Sequence, residues 1–337
     1  GMVDKCREAL KAAGIESDSF TQTEGNPSTD TVAKAAEGFK SSKADFIVAF
    51  GGGSPLDVAK AVAVIASYGG NITDYEGGGK VPGPVVPMIA IPTTAGTGSE
   101  VTAFSVITDH SRNYKLTVVS NYLLPAYAIL DPELITTVPK STAAACGIDA
   151  MVHALEAFIS KAASPFSDLF AKEALRLIGT NIRDYVLDRS NLAACEAMLT
   201  GSLFAGIAFS HARLGDVHAM SHPVSAYFDV AHGVANAVLL PTIVDYNMTY
   251  ASEKYKYIYD CICEKPLDDD SFTPEMLAAE IRVLNDELGI PSSLSEVGVD
   301  SSLFDKMADD AMKSGNILVN PRPTTKKDIL ALYAQAF

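Results

Sequence analysis

An apolar run, DFIVAF at residues 45–50, leads directly into the glycine turn Gly51–Ser54. A run without polar alternation is typical of a strand buried on both faces of a parallel sheet. Pro55 then stands just inside a helix start, where its missing N–H costs nothing. A second buried strand is predicted over PMIAIP at residues 87–92. Strand, glycine turn, helix and strand in this order predict the βαβ unit of a doubly wound α/β sheet.

The sequence pattern changes near residue 138. Before it, helices predicted at 3–13 and 29–40 alternate with strands, including the shorter candidates SVIT, KLTVV and YAIL. After it, helix-forming segments follow one another at residues 141–159, 166–186, 191–210, 213–224, 233–250, 275–288 and 302–314. We therefore predict an α/β domain over residues 1–138 and an all-helical domain over residues 139–337. Because the chain opens on a helix rather than a strand, we expect the first βα unit of the sheet to be absent or replaced.

The helical half contains a pattern of metal-ligand type. Asp149 and His153 have Asp-x-x-x-His spacing in GIDAMVHALE, which puts both side chains on one helix face, a turn apart. His218 and His222 repeat this spacing, and His232 follows in the same apolar stretch. One carboxylate with two or three imidazoles suits a borderline ion such as Fe²⁺, Zn²⁺ or Ni²⁺ and suits Ca²⁺ or Mg²⁺ poorly.

The alternative is that these histidines only pack. A lone helical histidine is more often a satisfied core or surface residue than a ligand. Their clustering favours a site, because the chain has only six histidines and a fifth one, His211, lies just upstream. From the residues alone, both interpretations stay open.

Two further segments suit a nucleotide. Gly51–Ser54 offers backbone N–H groups at a helix N-terminus, which fit a pyrophosphate, although a plain tight turn is the alternative. Asp57 would hydrogen-bond a ribose or amide, or merely favour the helix N-terminus. The segment Thr93–Ser99 follows the second strand, at the edge where such sheets bind ligands, or is a polar surface turn. Lys115 would reach a phosphate or ribose, although a solvated edge-strand lysine is the commoner case.

Composition excludes several classes of function. The 337 residues are 48% apolar and 20% charged, as in an ordinary soluble globular protein. The net charge of −15, without any basic cluster, argues against nucleic-acid binding. The five cysteines form no CxxC pair, which indicates reduced thiols and a cytoplasmic protein. Apolar runs stop short of the roughly 20 residues that a membrane span needs, so no membrane segment is expected.

The glycine turn, the TTAGTGSE segment and the Asp/His set, taken together, resemble the iron-containing (group III) alcohol dehydrogenase family. The segments that carry the resemblance are GGGSPLDVAK, IPTTAGTGSEVT, GIDAMVHALE, VHAMSHP and AHGVANAVLLP. The resemblance covers nearly the whole chain. It implies a Rossmann-like α/β N-terminal domain and an all-α C-terminal domain, a dehydroquinate synthase-like architecture with the active site in the cleft between them.

The resemblance also implies roles for individual residues. The positions that match the family's metal ligands are Asp149, His153, His218 and His232. His222 matches a non-ligand histidine near the nicotinamide, a candidate proton relay, with a packing role equally open. The positions that match the dinucleotide site are Asn26, Gly52, Gly53, Ser54, Asp57, Thr93, Thr94, Thr97 and Lys115. Phe104 and Phe209 are candidates for the substrate pocket, with plain core packing as the alternative.

The implied activity is that of a metal-dependent, NAD- or NADP-linked alcohol dehydrogenase or aldehyde reductase for small alcohols, diols or aldehydes. Fe²⁺ is the expected ion, with Zn²⁺ or Ni²⁺ as alternatives that bind such a site more tightly. The metal would act as a Lewis acid and the nicotinamide would carry the hydride. We expect a homodimer, because an exposed sheet edge favours pairing.

The chain departs from the family at its start. Family members usually begin with a strand, a glycine-containing turn and a second strand whose last residue selects NAD or NADP. Without that stretch, we expect weak or absent dinucleotide binding beside a complete metal site. Two alternatives therefore stay open: a catalytically silent metal-binding remnant, and a dehydroquinate synthase-like lyase or cyclase. The latter needs several basic residues near the metal, and residues 141–240 offer few, with Arg213 the nearest in sequence.

Overall fold

The computed structural model describes residues 1–265 and 267–337. The chain divides into two compact units. The α/β unit comprises Gly1–Thr93 and Ser99–Ile129, and the helical unit comprises Thr94–Gly98 and Leu130–Phe337. The domain boundary predicted at residue 138 stays a prediction.

The α/β unit contains two small sheets. Its helices are α1 (Met2–Ala12), α2 (Thr29–Ser42) and α3 (Gly53–Tyr68). Its strands are β1 (Ile47–Gly51), β2 (Gly77–Gly78), β3 (Met88–Pro92), β4 (Phe104–Asp109), β5 (Tyr114–Val119) and β6 (Tyr127–Ala128). The parallel sheet has the order β1-β3-β6, and the second sheet has the order β2-β5-β4.

The second sheet is not wholly parallel. Strands β4 and β5 form an antiparallel pair in which Val106 lies opposite Thr117. Only residues 110–113 connect the two strands. A parallel pairing needs a crossover of a dozen residues or more, so a connection this short permits only a hairpin. The βαβ unit predicted from the sequence is formed by β1, α3 and β3, with Ala49 opposite Ala90.

Helix α3 is the centre of the α/β unit. Leu56 and Ala59 pack with Met88 and Ala90 of β3, while Val58 and other residues of α3 belong to a larger cluster with α2 and the hairpin. A helix that is apolar on all sides is typical of a fully buried one. The burial holds the N-terminus of α3, and therefore the glycine turn before it, at the end of β1.

The helical unit is built from α4 (Lys140–Ile159), α5 (Pro165–Leu187), α6 (Leu192–Ala212), α7 (Asp216–Phe228), α8 (His232–Ile262), α9 (Glu275–Leu288), α10 (Phe304–Lys313) and α11 (Lys326–Gln335). The described residues of this unit form no strand. Helix α4 is its core element, with every residue from Gly147 to Ile159 buried.

The start of α7, the end of α8 and the presence of α11 differ from the predictions. Helix α7 starts at Asp216 and not at residue 213, because Arg213 has a φ of 64°, outside the right-handed helical region. Helix α11 is not among the predicted helices, although its capping box, Thr325 with Asp328, has the T-x-x-D pattern of a helix start.

Helix α8 runs well beyond the predicted end at residue 250. Pro241 lies inside it and has no N–H to donate to the carbonyl one turn earlier. That carbonyl, of Ala237, instead accepts a hydrogen bond of 2.8 Å from Asn285 Nδ2. Since the orphaned acceptor is satisfied from α9, the helix continues past the proline to Ile262.

Helices α4 and α6 are long and apolar enough to cross a membrane by length and composition alone. In their most apolar windows, 89% of α4 and 56% of α6 is buried inside the protein. Core helices of globular proteins pass the same length test, so these two helices are weak evidence for a membrane span. The prediction from the sequence that no segment is apolar enough to span a membrane is therefore not confirmed by helix length and composition.

Candidate metal and cofactor sites

The four predicted metal ligands lie together in the helical unit. Asp149 and His153 occupy one face of α4, His218 lies in the first turn of α7, and His232 is the first residue of α8. Asp149 Oδ1 is 4.0 Å from Nε2 of His153 and 3.8 Å from Nε2 of both His218 and His232. Imidazole nitrogens from three helices therefore lie around Asp149 Oδ1, and the donor atoms of Asp149, His153 and His218 are all within 4.8 Å of one another.

Burial differs across this cluster. Asp149, His153 and His218 are buried, whereas the side chain of His232 is 26% exposed. His153 and His218 stack with ring centroids 4.6 Å apart. Burial, with the neighbouring His153, lowers the pKa of His218 well below its usual range. A neutral imidazole is the form that offers a nitrogen lone pair to a metal.

Hydrogen bonds select the tautomer of two of the histidines. His153 Nδ1 lies 3.2 Å from the carbonyl oxygen of Gly96. Because a carbonyl can only accept, Nδ1 carries the proton, and Nε2 is left with its lone pair on the side of Asp149. His218 Nδ1 is likewise 2.6 Å from Glu156 Oε2. Both rings are thus turned so that Nε2 faces the shared space.

Asn236, which the sequence analysis did not single out, completes the cluster. Its Nδ2 lies 2.6 Å from Asp149 Oδ1, 3.1 Å from His218 Nε2 and 3.2 Å from His232 Nε2. Its Oδ1 is buried and has no hydrogen-bond partner among the described residues. An amide donor thus faces three acceptors that a cation would also satisfy, so the donor set fits a divalent metal with mixed nitrogen and oxygen ligands. The signal in the sequence was the spacing of Asn236, one helical turn after His232.

His222 and Phe209 lie at the edge of this cluster. The ring centroid of His222 is 5.3 Å from that of His232 and 6.1 Å from that of His218. Phe209 stacks on His153 with centroids 4.6 Å apart. His222 therefore lies beside the predicted metal ligands without being one of them. Phe209 packs against the cluster and is also a buried core residue.

The predicted phosphate turn lies at the start of α3. Gly52 is the N-cap residue, and Gly53 and Ser54 form the first turn. Gly51 has a φ of +153°, and a Cβ there would lie 2.6 Å from the ring of Pro55. A side chain at residue 51 would therefore clash, so the close approach of the turn to the helix requires glycine.

Two predicted cofactor residues from distant parts of the sequence meet in the α/β unit. Lys115 Nζ donates a hydrogen bond of 2.8 Å to Asn26 Oδ1. Asn26 has a positive φ of 52°, which places it at a sharp turn before α2.

Asp57 has a structural task, since it accepts hydrogen bonds from Ser99 Oγ at 2.7 Å and from the Val106 amide at 3.0 Å. Phe104, proposed for the substrate pocket, is the first residue of β4 and is half-buried.

Lys60 is a further residue that the sequence analysis did not single out. It is fully buried and donates hydrogen bonds to Ser99 Oγ at 2.9 Å and to the carbonyls of Thr102 and Phe104, both at 2.8 Å. The sequence indicated this buried lysine by placing it among the apolar residues of the helix PLDVAKAVAVIAS. Its ammonium group holds the chain that follows the TTAGTG segment.

The TTAGTG segment itself is divided. Thr93 belongs to the α/β unit, where its amide donates to the Gly51 carbonyl, while Thr94 and Thr97 lie in the segment Thr94–Gly98 of the helical unit. There a Cβ on Gly96 would lie 2.9 Å from the Cβ of Cys146 in α4, and one on Gly98 would lie 2.8 Å from the Gly206 Cα in α6.

The glycines of this segment therefore permit close packing against two helices, which brings the Gly96 carbonyl within reach of His153. Burial, with Asp149 nearby, raises the pKa of the Cys146 thiol to about 12, so this cysteine stays protonated beside the cluster.

Both parts of the chain match known protein families. A sequence profile described as "Iron-containing alcohol dehydrogenase" matches residues 1–132, and one described as "Fe-containing alcohol dehydrogenase family, C-terminal" matches residues 143–337. The 1,3-propanediol dehydrogenase of Klebsiella pneumoniae is 41% identical over 338 residues, which cover 100% of this chain and 87% of that protein.

Solved structures give the same result. The crystal structure of a 1,3-propanediol oxidoreductase is similar with a TM-score of 0.94 and 40% identity, covering 100% of this chain and 88% of that one. The sulfoacetaldehyde reductase of Bifidobacterium kashiwanohense, solved in complex with NAD⁺, has a TM-score of 0.87 and 30% identity, covering 99% and 88%.

These findings confirm the family resemblance and the fold class predicted from the sequence, a Rossmann-like α/β domain with an all-helical one. The two profiles between them match nearly the whole chain, and the identity to full-length relatives extends along all of it. The chain belongs to the iron-containing alcohol dehydrogenase family.

Proposed function

We propose that this chain is a metal-dependent, NAD- or NADP-linked alcohol dehydrogenase that interconverts short alcohols or diols and their aldehydes. The observation that carries the proposal is that three imidazole nitrogens lie within 4.0 Å of Asp149 Oδ1. The 1,3-propanediol dehydrogenase of K. pneumoniae, 41% identical, supports small hydroxyl compounds as the substrate class.

The metal ligands in this proposal are Asp149, His153, His218 and His232. One carboxylate with three neutral imidazoles leaves a divalent ion with a net positive charge, and Fe²⁺ is the expected ion, with Zn²⁺ or Ni²⁺ as alternatives. When bound, such an ion supplies Lewis-acid polarisation of a substrate oxygen. The fixed tautomers of His153 and His218 mean that these rings need no rearrangement to bind it.

The remaining residues bind, orient and move protons. We assign the pyrophosphate to the backbone N–H groups of Gly52, Gly53 and Ser54 at the N-terminus of α3. The residues assigned to the rest of the dinucleotide are Asn26, Asp57, Thr93, Thr94, Thr97 and Lys115. His222, whose ring lies 5.3 Å from that of His232, carries the alcohol proton away from the site.

In the same proposal, residues 1–138 form the dinucleotide-binding domain and residues 139–337 the metal-binding domain. The NAD⁺ complex of the B. kashiwanohense relative supports a nicotinamide cofactor. We further propose a cytoplasmic homodimer without a membrane or nucleic-acid partner. The net charge of −15 argues against binding to nucleic acid. Size-exclusion chromatography with light scattering measures the oligomeric state, and a monomer at micromolar concentration contradicts the dimer.

The test is oxidation of NADH and NADPH with a panel of short aldehydes. Protein is stripped of metal and reloaded anaerobically with Fe²⁺ or Zn²⁺, alongside the H218A variant prepared in the same way. We expect turnover that requires metal and is lost in H218A. Protein that binds metal but turns over neither cofactor with any aldehyde contradicts the proposed activity and favours a catalytically silent metal-binding protein.

A further inference from the structure

Glu156 is a buried carboxylate that no expectation from the sequence used. It lies on α4, one turn after His153, and its side chain is only 2% exposed. A carboxylate is expensive to bury unless its oxygens accept hydrogen bonds or face a cation. Its partners therefore identify what it does.

One oxygen of Glu156 caps the start of α7. The N-cap residue of that helix is Gly215, which has no side chain to cap it. Glu156 Oε1 instead accepts a hydrogen bond of 2.7 Å from the amide of Val217. A negative charge at a helix N-terminus is stabilised both by orphan N–H groups and by the helix dipole.

The other oxygen holds His218. Glu156 Oε2 lies 2.6 Å from His218 Nδ1, across 62 residues of sequence. The oxygens of an ionised carboxylate can only accept, so with Glu156 ionised the ring nitrogen of His218 is the donor. Nδ1 then carries the proton, and the unprotonated Nε2 points to Asp149 Oδ1, 3.8 Å away.

We propose that Glu156 is a positioning residue that locks His218 in the tautomer whose Nε2 can bind a divalent metal. The inference rests on the proposed metal site. Glu156 does not touch the metal position itself. It acts through His218, and its own orientation is set by the N-terminus of α7, so the start of that helix and the ligand are fixed by one side chain.

The E156Q variant keeps the shape of the side chain, but it replaces one acceptor oxygen with an NH₂ donor and removes the negative charge. In E156Q the Val217 amide still needs an acceptor, so the glutamine oxygen turns to it. The NH₂ group of the glutamine then faces His218 Nδ1 and forces that nitrogen to accept. The proton moves to Nε2, where it blocks the metal. The opposite amide orientation puts NH₂ against the Val217 N–H and uncaps α7.

The first measurement is metal affinity, by competition of Zn²⁺ or Co²⁺ with a chelator. Wild-type protein, E156Q, H218A and S164A are compared. Ser164 caps α5 in the same unit by accepting from the Ser167 amide, so S164A removes the cap of a helix that carries no proposed ligand. We expect E156Q to bind roughly 10–100-fold more weakly, H218A to bind at least as weakly, and S164A to bind as wild type does.

The second measurement reads the tautomer directly, and its result on wild-type protein needs no stable Glu156 variant. In metal-free wild-type protein labelled with ¹⁵N-histidine, at a pH where the ring is neutral, long-range ¹H–¹⁵N spectra distinguish Nδ1–H from Nε2–H. The His218 signal is identified by its absence in H218A. We expect Nδ1–H in the wild type and Nε2–H in E156Q.

The outcomes separate this inference from the function on which it rests. Wild-type protein with His218 protonated at Nε2, or E156Q with wild-type metal affinity, overturns the role of Glu156 and leaves the metal site standing. The metal site itself is overturned if wild-type protein binds neither ion, or if H218A binds the ion as tightly as wild-type protein does.

Discussion

Lys60 shows at the scale of one residue how this fold uses a buried charge. Burial lowers the pKa of its ammonium group to about 8, against the opposing charges of Asp57 and Glu100, so it remains protonated at neutral pH. Its hydrogen bonds go to Ser99 and to the carbonyls of Thr102 and Phe104. The charge therefore satisfies backbone acceptors where the chain passes from the turn at residues 99–101 to the start of β4.

K60M is expected to destabilise the α/β unit by about 3 kcal/mol, because the groups that accept hydrogen bonds from Lys60 lose their donor while the apolar stem is kept. The measurement is the free energy of unfolding from chemical denaturation. K40M, at an exposed lysine near the end of α2, is the matched control and should stay within about 0.5 kcal/mol of wild type. Equal stability of the two variants would show that the buried contacts contribute nothing net.

Glu24 makes a prediction about pH. Burial acts to raise the pKa of its carboxyl, but hydrogen bonds from Thr31 and Ser28 outweigh it and lower the pKa to about 2. The folded state thus binds its proton more weakly than the unfolded state. The stabilisation is complete above the ordinary value of 4.5 and is lost as pH falls towards 2.

E24Q should therefore lower Tm at pH 7, and the gap to wild type should shrink steadily below pH 4.5. Thermal unfolding by circular dichroism at several pH values measures it. T31A removes the hydroxyl donor and should reproduce most of the effect. A gap that is the same at every pH contradicts the assignment.

At the scale of whole helices, two glycines set how closely elements of the helical unit approach. A Cβ on Gly233, at the start of α8, would lie 2.4 Å from the backbone oxygen of Ala145 in α4. A Cβ on Gly179 in α5 would lie 2.2 Å from the backbone oxygen of Cys261 in α8. Because each obstacle is backbone, a helix has to shift to make room.

G233A and G179A should each destabilise the protein by about 1–3 kcal/mol through overpacking. Only G233A displaces the helix start that carries His232, so only it should weaken metal binding, by about tenfold. Denaturation and chelator competition on both variants provide the matched comparison. Equal metal affinity in the two would mean that His232 tolerates a shift of α8.

For the whole molecule, the proposed metal links three helices of one unit. The ligands lie on α4, α7 and α8, and none of these helices holds more than two of them. A metal that binds only the folded arrangement stabilises it by mass action, by about 2.7 kcal/mol at a free concentration one hundred times Kd.

Removal of metal should accordingly lower the Tm of the helical unit, and readdition should restore it. Calorimetry of metal-free and Zn²⁺-loaded protein measures the shift, and H218A should lack it. A Tm that ignores metal in wild-type protein would contradict a site that joins the three helices.

Local patterns made much of this molecule predictable. The apolar run before Gly51 predicted β1, and the helical spacing of Asp149 and His153 predicted that both side chains share one face of α4. Each of these inferences depends on neighbours within a turn or a strand, where period and sterics decide the conformation. The joint order of the motifs also identified the family, since several specific segments in one order are hard to meet by chance.

Contacts between distant segments were not predictable. Hydrogen bonds from Lys60 to Ser99, from His153 to Gly96 and from His218 to Glu156 join residues 39, 57 and 62 positions apart. The continuation of α8 past Pro241 likewise depends on Asn285 of another helix. Sequence alone determined most of the elements, the family and the candidate ligands, because these follow from local spacing and residue chemistry. Only the tertiary structure decided which nitrogen of each histidine faces the site, because that choice belongs to a partner which chain folding brings from elsewhere.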